Sequence, residues 1–294
     1  PKARKPGTKL PTILHQTRYW RALDLNRPFQ GMIEPGAPSL WFIASTKKLV
    51  QQGYAIVSVD VRGTGDSTGE RRMECSPEEV EDGREILDWI VKQDWSSGNV
   101  GTMGVSYNGW TALMAGSLGH PAVKCIIPIS APFDGYREMT RTGGVYNSHL
   151  IKRWTAICDE MDHNIMPSDI TAKWLFVKGI PMVNDDVKRK DRLEKLYGLR
   201  ENHHYAQEFM ETISHRNDGM PGYGSLRIDS IFPIGNYQKI NAAGVPVYAF
   251  AGWFDLSSAV GATRMFQNYT APGSKLCLGP WNHGNRQDVS PFGK

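Results

Sequence analysis

The chain has 294 residues, of which 40% are hydrophobic and 10% aromatic, with nine tryptophans and a formal net charge of +4. That composition describes a globular protein with a sizeable core and excludes a disordered or fibrous one; length alone leaves open one large α/β domain or two small ones. Lys and Arg gather only in residues 1–9 and 187–195, without the interleaved aromatics of a nucleic-acid groove, so both read as solvated surface and no nucleic acid is expected as a partner.

Cys75, Cys125, Cys158 and Cys277 show neither C-x-x-C nor metal-ligand spacing, so no metal is expected. Cys125 and Cys277 sit in apolar, strand-like runs and read as small core residues, which leaves the redox compartment open. No stretch reaches the roughly 18–20 apolar residues that span a bilayer, and the N-terminus lacks the apolar core of a signal peptide. The reading is a soluble chain with no membrane partner and no assigned compartment. Its abrupt start, a few residues before the first strand-like run, is compatible with a longer parent.

In chain order, β-rich apolar runs at residues 10–14, 54–59, 100–105, 123–129, 245–250 and 275–278 alternate with helical patterns. This is the signature of a mostly parallel sheet with crossover helices. Residues 77–93 carry Val80, Ile86, Leu87, Ile90 and Val91 at helical spacing, with Ser76 and Glu79 placed as a capping box. A second helix is predicted from Tyr107 to about Leu118, stopped by Gly119. Residues 133–240 break the rhythm with a mostly helical pattern around Trp154, Trp174, Leu193, Leu196 and Phe209 and no convincing buried strand. The expected organisation is a core of residues 1–132 and 241–294 with a helical cap, residues 133–240, inserted between two strands.

The most specific local signal is Gly104-Val105-Ser106-Tyr107-Asn108-Gly109, which follows a strand-like run and opens a helical pattern. A nucleophile on a sharp strand-to-helix turn needs small neighbours, because its backbone is strained and closely packed. Asn108 occupies the usual second-glycine position and the glycine comes one residue later, so Ser106 taken alone reads either as a nucleophile or as a helix N-cap. A serine hydroxyl needs a base to take its proton and a carboxylate to orient that base. In the α/β-hydrolase order Ser, acid, His, each follows the end of a strand. Asp255 follows the run 245–250, and His283 follows the run 275–278 in a Gly-Pro turn that none of the other seven histidines shares. The Tyr107 amide is one oxyanion donor by construction of the elbow. Tyr19, after the first run, stands where its hydroxyl could be a second, although on residues alone it also reads as core packing. Trp110, Trp154, Trp174 and Trp253 read as pocket lining or as core, and Trp110, Trp154 and Trp253 are the expected substrate contacts.

These blocks, together with Val59-Asp60-Val61-Arg62-Gly63-Thr64-Gly65-Asp66-Ser67-Thr68-Gly69, Glu81-Asp82-Gly83, Asp88-Trp89-Ile90, Gln93-Asp94-Trp95, Gly252-Trp253-Phe254-Asp255 and Gly279-Pro280-Trp281-Asn282-His283, resemble the cocaine-esterase and X-prolyl dipeptidyl-peptidase type of serine hydrolase. The resemblance spans nearly the whole chain, and that family shares the late glycine of the elbow. It implies an α/β-hydrolase fold with a helical cap, nucleophile Ser106, acid Asp255, base His283, an oxyanion hole from Tyr107 and Tyr19, and no cofactor. Asp60, Arg62 and Asp66 are expected to hold a loop and not to react. Members usually continue into a β-rich jelly-roll domain, whereas this chain stops eleven residues after His283. The usual domain is therefore expected to be absent, and pairing with another copy becomes an option.

The function expected from this reading is acyl transfer on a small-molecule ester or amide, an esterase first. An aminopeptidase or acylase would need carboxylates for a free amine, with Glu160, Asp162, Asp185 and Asp186 as candidates. A hydrolase-like binding protein without turnover is the alternative from another class.

Overall fold

The computed structural model describes residues 7–29, 43–167, 176–181, 189–201, 203 and 205–283. In chain order its strands are β1 (Leu10–Thr17), β2 (Asp24–Leu25), β3 (Ala55–Asp60), β4 (Ser96–Val105), β5 (Val123–Ile129), β6 (Val177–Gly179), β7 (Tyr248–Gly252) and β8 (Lys275–Gly279). Six of them form one sheet in the order β3-β1-β4-β5-β7-β8, and its pairs run parallel. All six expected runs are in it. The start of the fifth run, residues 245–250, moves inward, because Pro246 has no N–H to give and Val247 makes only an isolated bridge to Ile126 before β7 begins.

The helices are α1 (Ile43–Gln51), α2 (Pro77–Lys92), α3 (Tyr107–Gly116), α4 (Ser148–Asp162), α5 (Arg189–Arg200), α6 (Ala206–Met210), α7 (Ile228–Ile231), α8 (Pro233–Ala242) and α9 (Ser258–Asn268). No helix among the described residues is long and apolar enough to cross a membrane. At the start of α2 the Ser76 hydroxyl accepts from the Glu79 N–H at 3.2 Å, and Pro77 opens the helix where its missing donor costs nothing. The capping box is only half made: the Glu79 carboxylate turns inward and accepts from the Tyr107 hydroxyl. Leu87 and Ile90 of α2, Leu113 of α3 and Ile240 of α8 pack with Leu14, Val100 and Ile126 of the sheet. Each such side chain contributes about 1.5–3 kcal/mol of burial.

The chain leaves β1 toward β3 on one side of the sheet and then builds β4, β5, β7 and β8 on the other. The crevice outside the carboxyl ends of β1 and β4 is therefore a topological switch point, where open α/β sheets place ligands. Between β5 and β7 the chain runs through α4 to α8 and a π-helical turn at Tyr136–Thr140. This segment has its own apolar contacts, with Phe209, Met210, Ile228, Ile231 and Phe232 packed around Trp110. The segment also carries the short strand β6, which pairs antiparallel with β2 and of which only Gly179 is buried.

What ties α4 to the core is charge. Asp162, at its last turn, has both oxygens 3.2 Å from Arg18, while its Oδ2 also lies 3.5 Å from Arg71 and 3.5 Å from His203, and the side chains of Arg18 and Asp162 are 0% and 1% exposed. Burial by itself would raise the Asp162 carboxyl, but Arg18, His203, Arg71 and Arg200 outweigh it and hold the group well below the usual carboxylate range. Trp20 adds an Nε1–H bond to the Met161 carbonyl at 3.1 Å. Asp162→Asn should destabilise the fold by on the order of 3–5 kcal/mol, because it leaves buried guanidinium groups uncompensated. Urea unfolding of the two proteins measures this, and an unchanged midpoint would contradict the clamp.

Candidate active site

The turn between β4 and α3 holds Ser106 at φ 60°, ψ −124°, a conformation that costs a non-glycine residue about 1–3 kcal/mol. The Ser106 N–H donates to the Ile129 carbonyl at 2.8 Å, and its carbonyl accepts from the Trp110 N–H at 3.0 Å, so strand pairing ends and the helix begins at one residue. A Cβ at Gly104 would lie 2.3 Å from the Asn108 backbone, and one at Gly109 would lie 2.8 Å from Ala131 Cβ. Both glycines are therefore required by close approach. Asn108 is tolerated because its side chain has its own berth: Nδ2 donates to His15 Nε2 at 3.1 Å, which leaves His15 Nδ1–H to donate to Ser58 Oγ at 3.0 Å.

Asp255 and His283 come together through the loops after β7 and β8. Trp253 N–H donates to the Gly279 carbonyl at 2.9 Å and Phe254 N–H to the Trp281 carbonyl at 3.1 Å. A Cβ at Gly252 would sit 2.1 Å from the Trp281 oxygen, so only glycine lets the two loops close on each other. His283 Nδ1 then stands 2.8 Å from Asp255 Oδ1. The Asp255 side chain is 4% exposed and that of His283 57%. Burial would raise the Asp255 carboxyl, but the neighbouring His283, with the Ser130 and Ser258 hydroxyls, holds it below its ordinary value.

Ser106, Asp255 and His283 line one cavity of about 340 Å³, together with Tyr19, Tyr107, Trp110 and Trp154. Tyr19 packs edge-on against the Tyr107 ring at 5.9 Å, and its hydroxyl accepts from Trp154 Nε1–H at 2.8 Å. Burial holds the Tyr19 phenol well above its ordinary value, so it keeps its proton. The Tyr107 side chain is engaged with Glu79, whose carboxyl burial pushes up to about 7. The Tyr107 amide is the first N–H group of α3, and the first N–H groups of a helix have no acceptor within it.

Of the expected substrate contacts, Trp110 is 1% exposed, stacks on Phe232 at 4.0 Å and donates Nε1–H to the Ile231 carbonyl, so it forms the buried wall. Trp253 does not line the cavity: the two loop-closing backbone bonds turn its ring outward, where it is 60% exposed. Trp174, Asp185 and Asp186 lie outside the described residues. Sequence reasoning missed Glu138 and Arg153 in the lining; Glu138 sits in the π-helical turn, which carries no periodic signal. Asp60, Arg62 and Asp66 are loop-holding, as expected: Asp60 accepts from the Arg21 N–H, Arg62 pairs with Asp82 and Asp66 with Arg192.

A parallel sheet with a strand-to-helix serine turn, and with Asp255 and His283 on successive strand ends, defines the α/β-hydrolase fold. The chain belongs to the X-Pro dipeptidyl-peptidase (S15) family, which it matches over residues 1–285. A protein described as a serine esterase from Mycobacterium tuberculosis is 34% identical over 309 residues, covering 97% of this chain and 49% of that one. The cocaine esterase of a Rhodococcus strain is 27% identical, covering 83% and 42%. Among solved structures, a CocE/NonD family hydrolase from Staphylococcus aureus superposes with a TM-score of 0.61 at 19% identity, covering 95% and 42%, which shows the shared fold. The chain spans about half the length of these relatives.

Burial lowers His15 from 6.5 to about 4. The folded protein thus binds this proton less readily than the unfolded chain. Stability from the neutral ring is complete above pH 6.5 and is lost as pH falls toward 4, by up to about 3 kcal/mol. Melting temperatures from pH 7.5 to 4 should fall more steeply for the wild type than for His15→Gln; equal slopes would exclude His15 as the titrating group.

Proposed function

We propose that this chain carries out carboxylic ester hydrolysis through an acyl-enzyme on Ser106. The observation that carries the reading is the Asp255–His283 hydrogen bond at 2.8 Å in the cavity that also contains the strained Ser106. Asp255 fixes the imidazole with Nδ1–H toward itself, which leaves Nε2 as the base. Nε2 takes the Ser106 proton, Oγ adds to the ester carbonyl, and the oxyanion is met by the Tyr107 N–H and the Tyr19 hydroxyl. The proton on Nε2 passes to the leaving alcohol as the C–O bond breaks. A water, deprotonated by the same nitrogen, then releases the acid and restores Ser106.

The helices between β5 and β7 act as a cap in this reading, residues 133–240 over a core of 1–132 and 241–294. Met139, Leu150, Trp154, Ile157 and Met161 from that segment line the cavity, a setting suited to an apolar acyl or aromatic group. The aminopeptidase reading, which relatives described as Xaa-Pro dipeptidyl-peptidases keep open, needs a carboxylate ready for an ammonium. Among the described lining residues, Glu138 accepts from the Phe133 N–H and from Arg264, and Asp255 is engaged with His283. Asp162 is consumed by Arg18, and Glu160 is not in the lining. These engagements favour the esterase.

Hydrolysis of p-nitrophenyl esters from acetate to octanoate is the test. Ser106→Ala should abolish turnover to the level of roughly a 10⁶-fold loss, Asp255→Asn should cost about 10⁴-fold, and Tyr19→Phe about 10²–10³-fold. A folded wild type without turnover, or an active Ser106→Ala, would overturn the proposal.

A further inference from the structure

Three contacts join α4 to the three consecutive residues that follow β1. At one end of α4, Asp162 and the adjacent Met161 hold Arg18 and Trp20, through the buried ion pair at 3.2 Å and the Trp20 Nε1–H bond at 3.1 Å. Two turns earlier, Trp154 donates Nε1–H to the hydroxyl oxygen of Tyr19, the residue between those two anchors, at 2.8 Å. The anchoring pair is buried and the Trp154–Tyr19 contact lines the cavity that contains Ser106. A tryptophan side chain is a donor only, and a phenol offers one proton. Donation from Trp154 therefore fixes which side of the Tyr19 oxygen is occupied as acceptor and turns the phenolic proton elsewhere. Among the described residues no acceptor for that proton is recorded.

We infer that Trp154 is a positioning residue of the oxyanion hole: from a helix clamped by Arg18–Asp162, its indole N–H orients the Tyr19 hydroxyl so that its proton points at the developing oxyanion. This rests on the reading of Tyr19 as an oxyanion donor given above. It assigns α4 a part in transition-state stabilisation as well as in lining the cavity. A hydroxyl free to rotate would have to be ordered at each turnover, whereas one already held by a 2.8 Å bond is preorganised. The clamp also gives a reason for burying a charge network at the end of α4. A slide of the helix would break the Trp154–Tyr19 bond, and the buried ion pair, in which Arg18 Nη2 meets both Asp162 oxygens at 3.2 Å, opposes it.

The experiment is a double-mutant cycle on kcat and KM for p-nitrophenyl butyrate with wild type, Trp154→Phe, Tyr19→Phe and the double variant. Trp154→Phe keeps an aromatic ring and deletes the N–H. It should lower kcat about tenfold, a part of the cost of losing a whole oxyanion donor, with KM changed less than about twofold. In the Tyr19→Phe background the same substitution should have no further effect on kcat, because the hydroxyl it acts through is gone. Trp154→His, smaller but able to donate from a ring nitrogen, should recover most of the loss if donation matters, and should be worse than Trp154→Phe if ring packing matters. Equal fold-losses from Trp154→Phe with and without the Tyr19 hydroxyl, or a loss expressed in KM alone, would overturn the inference. Full activity of Tyr19→Phe would instead overturn the oxyanion reading beneath it, so the two failures are distinct.

Discussion

Most of this molecule is arranged around one backbone conformation, the left-handed turn at Ser106. A serine at φ 60° is held against its own preference, and the local sequence supplies only part of what holds it. Gly104 and Gly109 remove the two Cβ atoms that would collide with the turn. The remainder comes from β4 lying between β1 and β5 in the sheet and from α3, all ten residues of which are buried. Because the strand before the turn and the helix after it are both fixed by core packing, the residue between them has no cheaper place to go.

Burial pushes His15, Glu79 and Glu138 toward their neutral forms, while the donors around the two carboxyls act against it. His15 accepts from Asn108 and donates to Ser58. Glu79, pushed up to about 7 by burial, shares a hydrogen bond with the Tyr107 hydroxyl. Glu138, also pushed up to about 7, takes the Phe133 N–H and the Arg264 guanidinium. Around Asp162 the strategy is the opposite. There the carboxylate stays charged because Arg18 and Arg71 lie beside it. A buried ion pair is a weak source of net stability compared with apolar packing, but its directional geometry sets where α4 sits relative to the segment carrying Tyr19. The cavity brings together the turn at Ser106 and α4, the helix that Asp162 ties down.

The six strands, α2, α3 and the order of Ser106, Asp255 and His283 were legible in the sequence, because each depends on local pattern: apolar runs, helical spacing, and glycines where a turn must be close. The late glycine of the elbow looked irregular by its spacing, and only the berth of the Asn108 side chain against His15 explains it. Trp253 was misjudged because adjacency to Asp255 in sequence says nothing of which way a ring turns once Gly252 and Trp281 have closed the loops. Glu138 and Arg153 escaped because the turn and helix that carry them reach the cavity through long-range packing.

By itself, then, the sequence determined the fold class, the strand ends on which the candidate residues lie and the chemistry open to them, since periodicity and turn residues act over a few positions. Tertiary structure alone decided which side chains share the cavity. Arg18 and Asp162 are 144 positions apart and Trp154 and Tyr19 are 135 apart. No local propensity links such pairs; they meet because the packing of α4 against the segment after β1 buries their charges and donors side by side.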